Sequence, residues 1–351
     1  ALSRRALLAG TAAGAVGLSL AACGKGKKSG SQADSKTVTV VTHDSFHVSE
    51  DLQKAFTSET GYTLKIATSG DAGALVNKLV LTKDAPLGDA VFGIDNTYAT
   101  RALDQGVIDT SATVTLPKGA ESYVVADTPA LAPIDVGDVC LNIDTGYFTG
   151  KGLTPPATFE DLTKPDYKGL LVAINPTNSS PGMAWLLATI GHFGAGSFAG
   201  YWKQLMANGA RIAEDWSAAY ETDFSGSGKG TYPIVVSYAS SPSFTVSKDK
   251  SSSTTSALLD TAFRQVEYAG VLKGAANPEG GKAFVTWMLS KAVQEDIPGQ
   301  MYMYPVLPDA ALPEALTKFG PLSKSPVKVD PKEITTHREE WLNTWTEAVG
   351  K

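Results

Sequence analysis

The sequence is poor in cysteine: Cys23 and Cys140 are the two in 351 residues. Beyond Cys23 only Cys140 is left, in the apolar stretch "DVCLNID". A single thiol forms no internal bridge, so fold stability must come from a hydrophobic core, and Cys140 is expected to be a small buried residue. Positive charge is also short. Thirty Lys and Arg face thirty-six Asp and Glu, a net charge of -6. That balance leaves no electrostatic footprint for nucleic acid. Histidine occurs four times. His43, Asp44 and His47 are close in sequence but follow a strand-like run, and i, i+4 residues share a face only on a helix, so no metal site is expected. Walker A, zinc-ligand and G-x-S-x-G spacings are missing. One S-x-x-K match, Ser325 to Lys328, lies in the Pro-rich connector "GPLSKSPVKVDP" without its S-D-N and K-T-G companions. Neither catalysis nor a cofactor is expected.

The long apolar run that the chain does have comes first. "ALSRRALLAGTAAGAVGLSLAAC" places Arg4 and Arg5 before an uncharged stretch of small and apolar residues. The run is too short and too rich in Ala and Gly for a spanning helix, and reads as an export signal over residues 1–22. Leu20-Ala21-Ala22-Cys23 fits a lipobox, in which cleavage leaves Cys23 as a lipid-bearing N-terminus. The arginine pair also resembles a twin-arginine motif. Residues 23–36, "CGKGKKSGSQADSK", have nothing to bury and read as a flexible tether. The expected location is outside the cytoplasmic membrane, on its outer face or in the periplasm, with the lipid as the link to the membrane.

From Thr37 on, strand and helix patterns alternate. "KTVTVVTHDSF" is a β-branched run ending in a polar loop, and "VSEDLQKAFTSETG" has helical spacing with Gly61 as a stop. "YTLKIATSG", "DAGALVNKLVLTKD" and "GDAVFGIDN" continue the alternation, and the middle of the chain repeats it. Such alternation predicts an α/β fold with parallel strands, whose ligands bind at the carboxyl ends of the strands. Those ends carry His43-Asp44-Ser45, Ser69-Gly70-Asp71 and Asp95-Asn96. A cleft between two α/β units follows from the pattern. Trp341 and Trp345 fall on one side of a long carboxyl-terminal helix.

One junction stands out. Between "GLLVAI" and a helical run from Met183 lies "NPTNSSPG", Asn175 to Gly182. Ser180 suits an N-cap and Pro181 the first helical position. Capping needs one hydroxyl, whereas Thr177, Asn178 and Ser179 add more. A helix N-terminus behind a polar loop also suits an anion.

"VTHDSF", "GDAVFGIDN", "NPTNSSPG", "DWSAAY", "VSYASSPS", "QVEYAG" and "IPGQMYMYP" occur in that order from about Thr37 to Trp345. In this the chain resembles the thiamine-binding proteins of bacterial ABC importers. The resemblance implies a type II periplasmic-binding-protein fold, an α/β architecture of two lobes with a hinged ligand cleft. It implies a first lobe from residues 37–135 and 268–351 and a second from 136–267, the chain crossing near Ile134–Val139 and returning near Gln265–Gly270. It implies a ligand site of Asp44, Asp95, Asn96, Ser179, Ser180, Trp216, Tyr220, Tyr238, Ser240, Ser241 and Tyr302, the two serines before Pro181 facing a phosphate ester. Two positions depart from the family: His43 stands where Tyr is usual, and Tyr302 where Trp is usual. The implied ligand is thiamine, thiamine monophosphate or thiamine diphosphate. The implied partners are permease subunits with a separate ATPase, and a monomer is expected.

The chemistry fits that ligand: rings for a thiazolium cation, acids such as Asp44, Asp215 and Glu267 for the aminopyrimidine and the charge, hydroxyls and N–H groups for phosphate. Asp215 and Glu267 serve equally as surface or hinge ion pairs. Polyamine and ferric iron are the alternatives for the same fold. Iron-binding relatives generally use neighbouring tyrosines, and this chain has no Tyr-Tyr pair. Tyr302 and Tyr304 would share one face if they lay in a strand.

Overall fold

In the computed structural model, residues 36–227 and 229–350 are described. The export signal, Cys23 and the tether up to Ser35 lie outside the described residues.

The first strand, β1 (Thr37–Thr42), is the β-branched run TVTVVT. Next come α1 (Glu50–Thr60), β2 (Thr63–Thr68), α2 (Ala72–Leu81), β3 (Ala90–Asp95) and α3 (Ala99–Asp104). Gly61 stops α1 in the left-handed region, φ 74°, its N–H on the Thr57 carbonyl. β1 lies parallel between β2 and β3. The middle of the chain forms β4 (Leu131–Asp144), α4 (Thr145–Lys151), β5 (Leu171–Ile174), α5 (Ser180–Phe193), α6 (Phe198–Ala207), β6 (Arg211–Ala213), β7 (Ile234–Tyr238) and β8 (Thr255–Val271). β5 lies parallel between β6 and β7. Then follow α7 (Pro278–Met288), α8 (Lys291–Gln300), β9 (Tyr304–Pro305), α9 (Glu314–Phe319) and α10 (Pro331–Val349).

The strand order is β2-β1-β3-β8-β4-β7-β5-β6, with β9 beside β4. Parallel pairing holds within each half. The two strands that join the halves, β4 and β8, are antiparallel to each other. They run 14 and 17 residues, against a common strand length of about 5–6, because each serves both halves. β8 starts earlier than the pattern around "FRQVEYAGV" predicts, since Thr255 to Leu258 pair with the far end of β4. The expected lobe limits, 135/136 and 267/268, fall inside these strands, where Asp135 and Glu267 are register partners. The described residues belong to one compact unit.

Large aromatics fill the helical layers. Trp202 makes edge contacts with Trp185 at 5.2 Å and with Trp345 at 5.7 Å between ring centroids. α10 therefore packs on α6 of the second half. It also reaches the first half, where the Arg338 guanidinium lies 4.2 Å from the Tyr98 ring centroid. Cys140 is buried beside Ala239 and Ala262, and burial raises its thiol pKa.

Two local expectations are corrected. Ser179, not Ser180, is the N-cap of α5; Ser180 is its first helical residue, and the Ser179 hydroxyl makes no capping bond. The free N–H of Ser180 instead donates to the Asp71 carboxylate at 3.2 Å. Tyr302 and Tyr304 do not share a strand face. β9 begins only at Tyr304, and Tyr302 has φ 65°, which breaks the alternation.

Candidate functional site

The carboxyl ends of the parallel strands meet over a cavity of about 290 Å³. One wall comes from the loops after β1 and β2 and from β8: His43, Asp44, Asp71 and Glu267. The facing wall carries Trp216, Ser217, Glu221, Tyr238 and the start of α5, Ser180-Pro181. Gln300 at the end of α8 and Met301 to Met303 before β9 close the rim. Four carboxylates, from Asp44, Asp71, Glu221 and Glu267, line it, with no Lys or Arg.

The two halves touch across the cleft. The Ala74 N–H donates to the Asn178 carbonyl at 3.3 Å, and the Tyr98 hydroxyl donates to the Pro176 carbonyl at 3.2 Å. Asp71 caps α2 through the Ala72 N–H at 2.6 Å and accepts from Ser180 at the start of α5. The helix N-terminus that the sequence offers to a phosphate therefore already faces a carboxylate of the protein. Burial raises the Asp71 pKa against the lowering effect of Ser179, Ser180 and Ala72.

The aromatic wall is held by a hydroxyl relay. Trp216 Nε1 donates to Ser237 Oγ at 2.9 Å, and Ser237 and Ser241 hydroxyls are 2.9 Å apart. Tyr220 stacks on Trp216 at 5.0 Å and 12°. Tyr302 packs on Phe244 from the other half. The Tyr238 hydroxyl donates to Gln265 Oε1 at 3.4 Å, and Gln265 Nε2 donates to Glu267 Oε1 at 3.3 Å.

The acidic wall rests on a row of carboxylates. Asp95 on β3 and Asp135 on β4 are both register partners of Glu267 on β8 between them. Directly opposed residues share a sheet face, and like charges there repel. Burial first, then Glu267, raises the Asp135 pKa well above the carboxylate range. Burial also pushes Asp95 up to about 7, against the pull of the Thr97 hydroxyl and N–H. His43 faces Glu267 from the loop after β1, Nε2 to Oε1 3.5 Å. Its burial favours the neutral ring, but the Glu267 carboxylate, with Asp71 and Asp44, outweighs this and raises its pKa.

Of the residues singled out in the sequence, Asp44, Ser180, Trp216, Tyr238 and Tyr302 line the cavity. Tyr220, Ser240 and Ser241 lie behind the aromatic wall: Tyr220 stacks on Trp216, Ser241 completes the relay, and the buried Ser240 hydroxyl has no protein partner. Ser179 is buried at the Asp71 contact. Asp95 and Asn96 do not reach the cavity. Asp95 accepts from the Thr97 N–H at 2.6 Å. Asn96 mimics a strand partner, bonding the Val266 N–H and the Arg264 carbonyl, both at 3.0 Å. Their strand-end position is right, but the fold spends the Asn96 amide and one Asp95 oxygen on itself. The sequence did not assign His43, Asp71, Glu221 and Gln300 to the site. Asp71 was detectable as an acid opening a helix at a strand end. Glu221 and Gln300 carry no such signal. Among the described residues no cluster of three His, Cys, Asp or Glu is placed to hold a metal ion.

The sequence model of the family described as bacterial extracellular solute-binding protein matches residues 89–320. The chain belongs to this family. It is 27% identical to the thiamine-binding periplasmic protein of Salmonella typhimurium over 90% of this chain and 94% of the relative. Among solved structures, a periplasmic thiamin binding protein superposes with a TM-score of 0.77 at 25% identity, covering 90% of this chain and 96% of the other. Iron-bound HitA from Pseudomonas aeruginosa shares the fold at TM-score 0.68 and 20% identity, covering 89% and 99%. The solute-binding protein thus has the type II periplasmic-binding-protein fold, two α/β lobes around a ligand cleft.

Proposed function

We propose that this solute-binding protein captures thiamine outside the cell membrane, as a lipid-anchored component of an ABC importer, and hands it to permease subunits driven by a separate ATPase. Lipid on Cys23 would keep the protein, a monomer in this reading, at the outer face of the membrane or in the periplasm. The observation that carries the ligand assignment is the lining of the cavity: Trp216, Tyr238 and Tyr302 beside four carboxylates, with no Lys or Arg. A flat organic cation gains from both walls. Each ring contributes about 0.5–2 kcal/mol to a cation over its face, more as water leaves. The same lining is poor for a free anion, and the Asp71 carboxylate at the start of α5 opposes a phosphate there. Unphosphorylated thiamine is therefore the preferred form, ahead of the mono- and diphosphate. The thiamine-binding relatives and the thiamin-binding structure support the same ligand class.

Calorimetric titration with thiamine, its two phosphates, spermidine and ferric citrate tests this reading. Thiamine binding at micromolar or tighter, with the phosphates weaker, is expected. Heat from spermidine or iron alone would keep the fold and discard the ligand. Incorporation of a clickable fatty acid that is lost in Cys23→Ala checks the anchor.

A further inference from the structure

His43 and Glu267 lie on the cavity wall. The ring is buried, tilted against Phe92 at 5.4 Å between centroids. Gly93, at φ 98° in the β3 bulge, makes the slot for it; a Cβ there would collide with the imidazole. Nδ1 accepts the Ser45 N–H at 3.1 Å, so the ring's proton sits on Nε2 and points at Glu267. At 3.5 Å the pair is an electrostatic contact, and Nε2 has no hydrogen-bond partner.

We propose that a cationic ligand and the second proton of His43 compete for the Glu267 carboxylate, so that cation capture expels a proton from the imidazolium to solvent. This rests on the reading of the cavity as a cation site. The charges facing the pair come from every side. Asp44 and Asp71 face it from the loops after β1 and β2, Asp95 from β3 and Asp135 from β4. Tyr238 of β7 reaches Glu267 through Gln265, and Arg338 of α10 acts on Asp95. Asp135 has both oxygens and Asp95 has Oδ2 without hydrogen-bond partners. The cluster therefore has more carboxyl groups than cations to match them. In the ligand-free protein a second proton, taken up on Nδ1 at the expense of the Ser45 contact, lets His43 supply the missing positive charge. A bound cation supplies it instead, and two cations on one carboxylate in so small a space repel. The proton that leaves is the one on Nδ1: the neutral ring keeps its Nε2–H toward Glu267, and Nδ1 again accepts the Ser45 N–H.

The linkage has a fixed sign. The His43 pKa is raised above 6.5 in the free protein. Below that raised pKa, each cation bound releases up to one proton, so affinity falls about tenfold per pH unit on acidification. Above it the ring is already neutral and affinity levels off.

The test has one arm that needs no thiamine. The His43 Hε1 resonance is followed against pH by NMR. His43 should titrate above 6.5, and Glu267→Gln should lower its pKa. Tetramethylammonium, a cation without hydrogen bonds, should also lower it, whereas neutral neopentyl alcohol should not. A His43 pKa unmoved by either Glu267→Gln or tetramethylammonium overturns the proposal, whatever thiamine does. The second arm is thiamine calorimetry near pH 6 in buffers of different ionisation enthalpy. Close to one proton released is expected with the native protein, none with His43→Phe, and none with 3-deazathiamine, whose five-membered ring is neutral. Thiamine binding without proton release while His43 is charged overturns the competition. Absence of thiamine heat alone refutes the assigned ligand and leaves the first arm to decide this one.

Discussion

The two walls of the cavity solve different problems. The aromatic wall, Trp216 over Tyr220 with Tyr238, is held by neutral hydroxyls, Ser237 and Ser241 behind Trp216. Its polar atoms mostly have partners and its faces are open to a ligand. The acidic wall, His43, Asp71 and Glu267 backed by Asp95 and Asp135, is under-compensated: several oxygens have no partner, and the pKa values of His43, Asp71, Asp95 and Asp135 are raised. The first wall contributes shape and the second charge.

Breaking the aromatic wall should cost most. Trp216→Ala removes a ring face and the bond to Ser237, and should weaken thiamine binding by about 10–100-fold, ~1.4–2.8 kcal/mol by calorimetry, with the His43 titration unchanged. Asp95→Asn tests the acidic wall through stability. The Asp95 pKa rises from 3.8 to about 7 on folding, so the folded state holds a proton that the unfolded chain gives up. That contribution is present below 3.8 and is lost as pH rises through about 7. Asn keeps an acceptor for the Thr97 N–H, so the variant should melt about 3–6 °C higher than the native protein at pH 8 and match it at pH 4. Asp71→Asn leaves an N-cap on α2 but removes the negative charge at α5. The affinity ratio of thiamine monophosphate to thiamine should rise about tenfold, ~1.4 kcal/mol. An unchanged ratio would mean that phosphate points elsewhere. Tyr238→Phe keeps the ring and cuts only the hydroxyl link to Gln265, so thiamine affinity should change by no more than about threefold, ~0.6 kcal/mol.

These walls were not equally legible. Tyr238 is the last residue of β7 and Trp216 opens the helical turn that follows β6, and an aromatic in the polar stretch at a strand end announces itself, because the core has no use for it there. The acidic wall was half visible. Asp44 and Asp95 were read from their strand ends, but Asp95 turned inward and Glu267, left open between ligand contact and ion pair, lines the cavity. The difference lies in register: a one-residue shift against β8, such as the bulge between Phe92 and Ile94, sends a side chain to the other face. The surplus hydroxyls of "NPTNSSPG" were recognised, but the carboxylate that meets them, Asp71, comes from more than a hundred residues earlier.

Alternating periodicity, β-branched runs and stops such as Gly61 determined the α/β pattern and the elements that end at the cleft, because these follow from local backbone preference and from which face must be buried. Pairing between distant strands decided the rest. β4 and β8 bring Asp135, Glu267 and Asp95 into one row, and the loop after β1 adds His43 to it. Charge spacing across a sheet depends on contacts that no local stretch of sequence contains, and so does the proton that those charges must share.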